Sequence, residues 1–357
     1  MTMPSINKAS ALLILGFVGL VCGPLVLSGF EMSLLGQFLA LAILAIGLDV
    51  IWGYTGILSL GQSVFFGLGG YVMAMYLEAS SLQPGQVPDF MSWSGVTQLP
   101  LVWQLARHFP LTIALVIGVP WIVAFGLGFL IFRSRIKGVY FSILTQALAV
   151  VAATLAVNRQ NFTGGSSGLT GFTQIAGASL YAHATQVALY EVSLLALGVA
   201  YLLAWRLCHS PFGRVLVAVR DGETRLRFFG YDPAAFKTFV FAFAAVLAGI
   251  SGALFVPQNG IIAPAQLGVA PAIEMVIWVA IGGRGTIVGA VVGTLFVNYA
   301  KFYLSNHYPN AWLYFVGGLF VLVVLVMPEG LAGISRRVLK HFRSPEARSH
   351  DQGTEPA

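Results

Sequence analysis

The chain has 357 residues, 57% of them hydrophobic and 9% charged, where ordinary soluble domains carry roughly 25% charged residues. That balance excludes a soluble globular domain. The formal charge of +6 is no nucleic-acid footprint either, because the basic residues fall in loops between apolar runs. Those runs are continuous and about 20 residues long rather than short and alternating, which excludes a β-barrel and predicts membrane-spanning helices.

In chain order the apolar runs lie at about 11–30, 33–52, 56–77, 110–132, 139–157, 186–205, 238–256, 268–282, 286–300 and 311–327, which predicts an all-α polytopic membrane protein of roughly ten transmembrane helices. The first run reads as a span and not a signal peptide, since no small-residue cleavage site follows it. The run at 268–282 is short for a full crossing and reads as a re-entrant or half helix, a form tolerated where backbone is buried in protein or lines a cavity. One transmembrane domain is expected over 1–343, with a polar, disordered cytoplasmic tail over 344–357.

With both termini inside, sixteen of the nineteen Lys and Arg residues fall on the cytoplasmic side, and Arg107, Arg159 and Lys301 outside. The positive-inside rule therefore predicts this orientation. Two long external loops result, at 78–109 and 158–185. Cys22 and Cys208 lie in the first apolar run and a basic loop, so no disulfide is expected. Glycine is abundant, with 41 residues, as suits helices that pack closely in lipid; Gly285, Gly289 and Gly293 form a G-x-x-x-G face expected to pack against another helix.

No phosphate-cradling G-x-x-x-x-G-K-[ST] loop, H-E-x-x-H helix or G-x-S-x-G elbow occurs, so neither an ATPase nor a hydrolase is expected in this chain. His108, His183 and His307 are scattered and read as solvated, with no metal site. Polar side chains within apolar runs are candidates for a solute path or for interhelical hydrogen bonds: Gln62, Ser63, Thr145, Gln146 and Asn298. Asp49, Glu191 and Glu274 are the carboxylates in spans, and each can also serve a helix terminus.

The internal loop at about 206–237 is the densest in charge of both signs. Pro211 and Gly213 break the preceding span, 214–221 can form a short helix, and Gly222 can end it. Such a loop reads as a positive-inside anchor or as a docking surface.

The succession Gly53-Tyr54-Thr55-Gly56, Ser59-Leu60-Gly61-Gln62, Gly138-Val139-Tyr140-Phe141, Gly164-Gly165-Ser166-Ser167-Gly168-Leu169-Thr170, Pro211-Phe212-Gly213-Arg214, Ala218-Val219-Arg220-Asp221 and Gly282-Gly283-Arg284-Gly285-Thr286 resembles the permease family of branched-chain amino-acid ABC importers over about residues 35–335. Within it, Ile273-Glu274-Met275-Val276-Ile277-Trp278, Thr145-Gln146-Ala147-Leu148 and Pro257-Gln258-Asn259-Gly260 are similar to the urea-uptake branch. Gln62 departs from the pattern, since many relatives carry His there. The resemblance implies an ABC importer permease bundle in the bacterial inner membrane. It also implies a second permease subunit, two cytoplasmic ATPases that bind the ATP, and a periplasmic substrate-binding protein. This chain would hold no cofactor, and the loop of Pro211, Gly213, Arg214, Arg220, Asp221 and Glu223 would grip an ATPase. Urea is small, neutral and rich in donors and acceptors, so Gln62, Ser63, Thr145, Gln146 and Asn298 suit its path. A branched-chain amino acid would bring Glu274 forward. An ion-coupled transporter and a passive channel are the readings from other classes; scattered carboxylates and the dense internal loop speak against them.

Overall fold

The computed structural model describes residues 27–309, with breaks at 83–85, 94, 96–97, 135 and 137, and a few residues of 16–25 and 314–318 beside them. The first and last apolar runs and the tail at 344–357 lie outside the described residues for the most part or entirely. The other eight runs all form helices, and the chain is an all-α polytopic membrane protein.

Helix α1, Gly29–Asp49, starts on a capping box in which the Ser28 hydroxyl accepts from the Glu31 N–H while the Glu31 carboxylate accepts from the Ser28 N–H, so two orphan donors are satisfied at once. It runs on as a π-helical turn over Val50–Thr55 and is stopped by Gly56, whose φ of 74° only glycine adopts without strain. An unwound stretch leads to α2, Gln62–Ser81. The start of α2 thus falls six residues after the apolar run begins at 56, because hydropathy does not register a left-handed glycine.

Helices α3, Phe109–Arg133, and α4, Val139–Asn158, follow as a pair joined through Gly138. The external segment then makes two small antiparallel pairs. β1, Leu169–Thr170, pairs with β4, Ile261–Ile262, and β2, Gln174–Ile175, pairs with β3, Ala178–Ser179. Helix α5, His183–His209, ends at Ser210, and Pro211 opens α6, Pro211–Phe228. Helix α7, Pro233–Asn259, is stopped by Gly260 at φ 77°. A second unwound stretch, with a 3-10 turn at Pro264–Leu267, leads to the 14-residue α8, Val269–Gly282, and α9, Ile287–His307, completes the described bundle.

Side-chain contacts sort the helix ends into two groups. At one end sit residues 49–56, 132–141, 219–237 and the 283–286 turn, joined by Arg220, Asp49 and the residues around Thr55 and Lys237. At the opposite end sit Ser33, Gln37 and Gln258, the β pairs, and the tilted ring pair of Phe30 and Phe302. Among the described residues, the basic segments around 133, 206–237 and 284 share one end.

Helices α1 and α2, with their break, enter from the second end, reach the first and return. Helices α7 and α8, with theirs, do the reverse. In both units the first helix ends on a left-handed glycine whose N–H donates to the carbonyl four residues back, Gly56 to Trp52 and Gly260 to Val256. An isoleucine follows each glycine, and the second helix starts from a glycine N-cap, Gly61 and Gly268. The chain therefore contains an inverted pair of broken-helix units, a recurrent plan in membrane transport proteins.

The two units cross where α2 meets α7, and glycine makes the crossing close. A Cβ on Gly69 would lie 2.0 Å from the Gly249 carbonyl oxygen, and one on Gly252 1.9 Å from that of Phe66. Without a hydrophobic driving force in lipid, such van der Waals contact is what holds helices together. Aromatic edges, Phe65 on Phe241 and Phe66 on Phe255, flank the crossing.

Candidate functional site

Both unwound stretches run from exposed glycines into the bundle, where Ser59, Gly61, Ile262 and Leu267 are buried and each bare N–H or C=O costs several kcal/mol unless protein satisfies it. The side chains that do so are largely the polar residues singled out in the apolar runs. Thr145 Oγ1 on α4 accepts from the Leu60 N–H at 3.0 Å, and Ser142 Oγ donates to the Leu58 carbonyl at 2.7 Å. Ser63 Oγ donates to the Leu267 carbonyl at 2.9 Å, tying the first turn of α2 to the second break. The hydroxyls of Ser63 and Thr145 thus serve the interrupted backbone. Gly67 lets the two breaks touch, since a Cβ there would meet Leu267 Cγ at 2.3 Å.

Gln62, in the first turn of α2, is 1% exposed, and neither of its amide atoms has a hydrogen-bond partner. Its helical position places it on the face of α2 that carries Phe66 and Gly69, toward α7. Gln146 is half-buried on α4, next to Thr145. Asn298 is not brought to this cluster: it lies in α9 and donates from Nδ2 to the Thr294 carbonyl one turn back. Glu191 is exposed in α5.

Glu274 is not a lone carboxylate. Lys301 Nζ donates to both of its oxygens, at 2.9 and 2.7 Å, clasping α8 to α9 with both side chains about one-third exposed. Twenty-seven residues separate the two in sequence, so no helical spacing could announce the pair. Gly289 and Gly293 pack as the G-x-x-x-G pattern predicts. A Cβ on Gly289 would lie 2.4 Å from the Gly282 carbonyl oxygen, and one on Gly293 2.3 Å from that of Trp278. Gly285 corrects the pattern: it precedes α9, holds the turn at φ 78°, and faces Gly53.

Helix α6 lies across the basic end. Its buried residues Leu216, Val219 and Leu226 recur at helical spacing, and Glu223 falls on the same stripe. Pro211 takes the first turn, where a missing N–H costs nothing. Gly213 admits the sharp corner from α5, since a Cβ would strike the Cys208 carbonyl oxygen at 2.0 Å. Cys208 itself is buried in the last turn of α5 and not in a loop. The helix begins at 211, three residues before the 214–221 expected, and Gly222, at φ −174° and ψ 71°, breaks it where the sequence expects an end; a second short helical stretch runs on to 228.

The expected docking residues divide. Arg214 and Asp221 are exposed. Glu223 turns inward, receiving hydrogen bonds from Lys237 at 2.7 Å and Arg227 at 2.8 Å, with Lys237 7% exposed. Arg220 Nε pairs with Asp221 at 2.9 Å, while its Nη1 donates to the Gly53 carbonyl at 2.9 Å. Beyond the kink, Phe228 and Phe229 are almost fully exposed, 87% and 81%.

A helical bundle with two inverted, internally broken units and an amphipathic helix across its basic end is the architecture of a membrane transport subunit. The chain belongs to the family described as branched-chain amino acid transport system / permease component, whose model matches residues 32–325. It is 24% identical over 342 residues to the high-affinity branched-chain amino acid transport system permease protein LivM of Salmonella typhimurium, covering 90% of this chain and 74% of that one. The LivM of Escherichia coli is 25% identical over 320 residues, with 84% and 69% covered. The autoinducer 2 import system permease protein LsrC of Salmonella paratyphi B is 31% identical over 173 residues, with 43% and 49% covered. No solved structure matches the chain.

Proposed function

We propose that this chain is the permease subunit of an ATP-binding-cassette importer in the bacterial inner membrane, moving a small polar solute by alternating access while ATP is hydrolysed on partner subunits. The observation that carries the reading is the inverted pair of broken helices joined to an amphipathic helix at the basic end, within a family of transport permeases. The working assembly pairs it with a second permease, two cytoplasmic ATPases and a periplasmic binding protein. The exposed face of α6, with Arg214, Asp221, Phe228 and Phe229, meets an ATPase. ATP belongs to those partners, and this chain holds no cofactor of its own.

For the solute we propose urea or a close small amide. The Thr145-Gln146-Ala147-Leu148, Pro257-Gln258-Asn259-Gly260 and Ile273-to-Trp278 stretches support it, and so does Glu274, whose charge is matched by Lys301 and not held out for a cationic group. The LivM relatives, branched-chain amino acid permeases, favour a second solute, a branched-chain amino acid.

Uptake of labelled urea and, separately, labelled leucine into proteoliposomes holding the four kinds of subunit separates the two. ATP-dependent urea uptake, indifferent to excess leucine and lost when this chain is omitted, is the expected result. ATP-dependent leucine uptake instead keeps the importer and overturns urea. Uptake indifferent to ATP removes the importer reading.

A further inference from the structure

Asp49 is fully buried at the inner turn of α1, yet among the described residues no cation donates to it. Its Oδ1 instead accepts the backbone N–H of Gly285 at 2.6 Å, 236 residues away. Burying a carboxylate for one backbone hydrogen bond is costly.

The surroundings show what it ties. Gly53, one turn on, lies so close to the 283–286 turn that a Cβ would come within 2.5 Å of Gly285 Cα. The Gly53 carbonyl is the acceptor for Arg220 of α6. Gly56 lets the Arg220 side chain lie against the chain where the unwound stretch begins, since a Cβ there would meet Arg220 Cγ at 2.8 Å. Between Asp49 and Gly56 the backbone is π-helical, a register that recurs at functional sites.

Resting on the importer reading above, we infer that Asp49, Gly53 and Arg220 form a transmission joint. It links α6 through the π turn to both broken-helix units at once, to α2 through the stretch at 56–61 and to α8 through the Gly285 turn. A displacement of α6 by an ATPase is then felt in both units together. Arg220, expected from sequence to grip the ATPase, is assigned instead as a positioning residue that holds α6 to the bundle. Coupling of this kind requires a physical element that both sites contact and bias, and the π turn, tied at Gly53 to Arg220 and through the adjoining Asp49 to Gly285, is the element in that position.

The test is the ratio of solute taken up to ATP hydrolysed by the full four-component importer in proteoliposomes. Asp49→Ala removes the acceptor for Gly285, and the ratio is expected to fall at least tenfold while the ATPases still co-purify. Asp49→Asn keeps an oxygen at Oδ1 and should hold the ratio within about threefold, which a purely electrostatic role for the carboxylate would not allow. Arg220→Ala should reproduce the loss, and Arg220→Lys, which still reaches a carbonyl, should recover part of it. If Asp49→Ala does not assemble, the Arg220 pair decides. An unchanged ratio in Arg220→Ala overturns the joint, and so does loss of the ATPases from that variant, which would make Arg220 a docking residue. A wild-type complex that hydrolyses ATP without import would refute the importer itself and not the joint.

Discussion

At the scale of single residues, glycine does two distinct jobs here. At Gly56 and Gly260 it supplies a left-handed backbone that stops a helix; at Gly69 and Gly252 it removes a side chain so that α2 and α7 can touch, and at Gly249 so that α7 can lie against Val116 and Pro120 of α3. Gly252→Ala puts a methyl 1.9 Å from the Phe66 carbonyl oxygen, a contact that backbone cannot relieve by a rotamer change. Overpacking of this sort costs about 1–3 kcal/mol or more. The midpoint of thermal unfolding of the purified protein in detergent should therefore fall by several degrees. Gly118→Ala, with open space around it, should leave the midpoint in place. Polar residues show the limit of reading spans one residue at a time. Ser63 and Thr145 look in sequence like groups awaiting a solute, but a hydroxyl in an apolar run is written the same way whether it faces a substrate or an interrupted backbone.

Among elements, the α8–α9 hairpin is the clearest case of a unit assembled from two ends. Gly289 and Gly293 bring the helices together near the turn, and Glu274 with Lys301 closes them far from it. Both charges are partly exposed, so the pair contributes no more than about 1 kcal/mol. Its test is an exchange. Glu274→Lys alone should lower the thermal midpoint by setting two cations face to face, and Glu274→Lys with Lys301→Glu should restore it. Uptake recovered along with stability identifies a structural clasp; stability recovered without uptake places the Glu274 carboxylate on the solute path. Helix α6 shows how periodicity can outvote charge. Glu223 lies on the stripe of Leu216, Val219 and Leu226, and that spacing, not its charge, foretells that it turns inward to Lys237.

For the whole molecule, one end gathers the basic loops among the described residues, and the orientation we propose from the positive-inside rule would put that end in the cytoplasm. A cysteine at Arg214 should then react with a membrane-impermeant maleimide only after cells are permeabilised, and one at the exposed Tyr181 should react in intact cells. The reverse labelling would invert the orientation proposed here and with it the side on which an ATPase could dock.

The sequence by itself determined the class of the molecule, the positions of eight described helices to within about seven residues at each end, the sharing of one end by the basic segments among the described residues, and the short eighth run. Each of these follows from local hydropathy or charge, which a chain carries with it into any fold. Only the tertiary structure decided that the two broken units oppose each other, that Glu274 meets Lys301, that Gly285 serves a turn, and that Asp49, Gly53 and Arg220 lie on one joint. Those facts depend on contacts between residues 27, 167 and 236 positions apart, and no periodicity along the chain spans such distances.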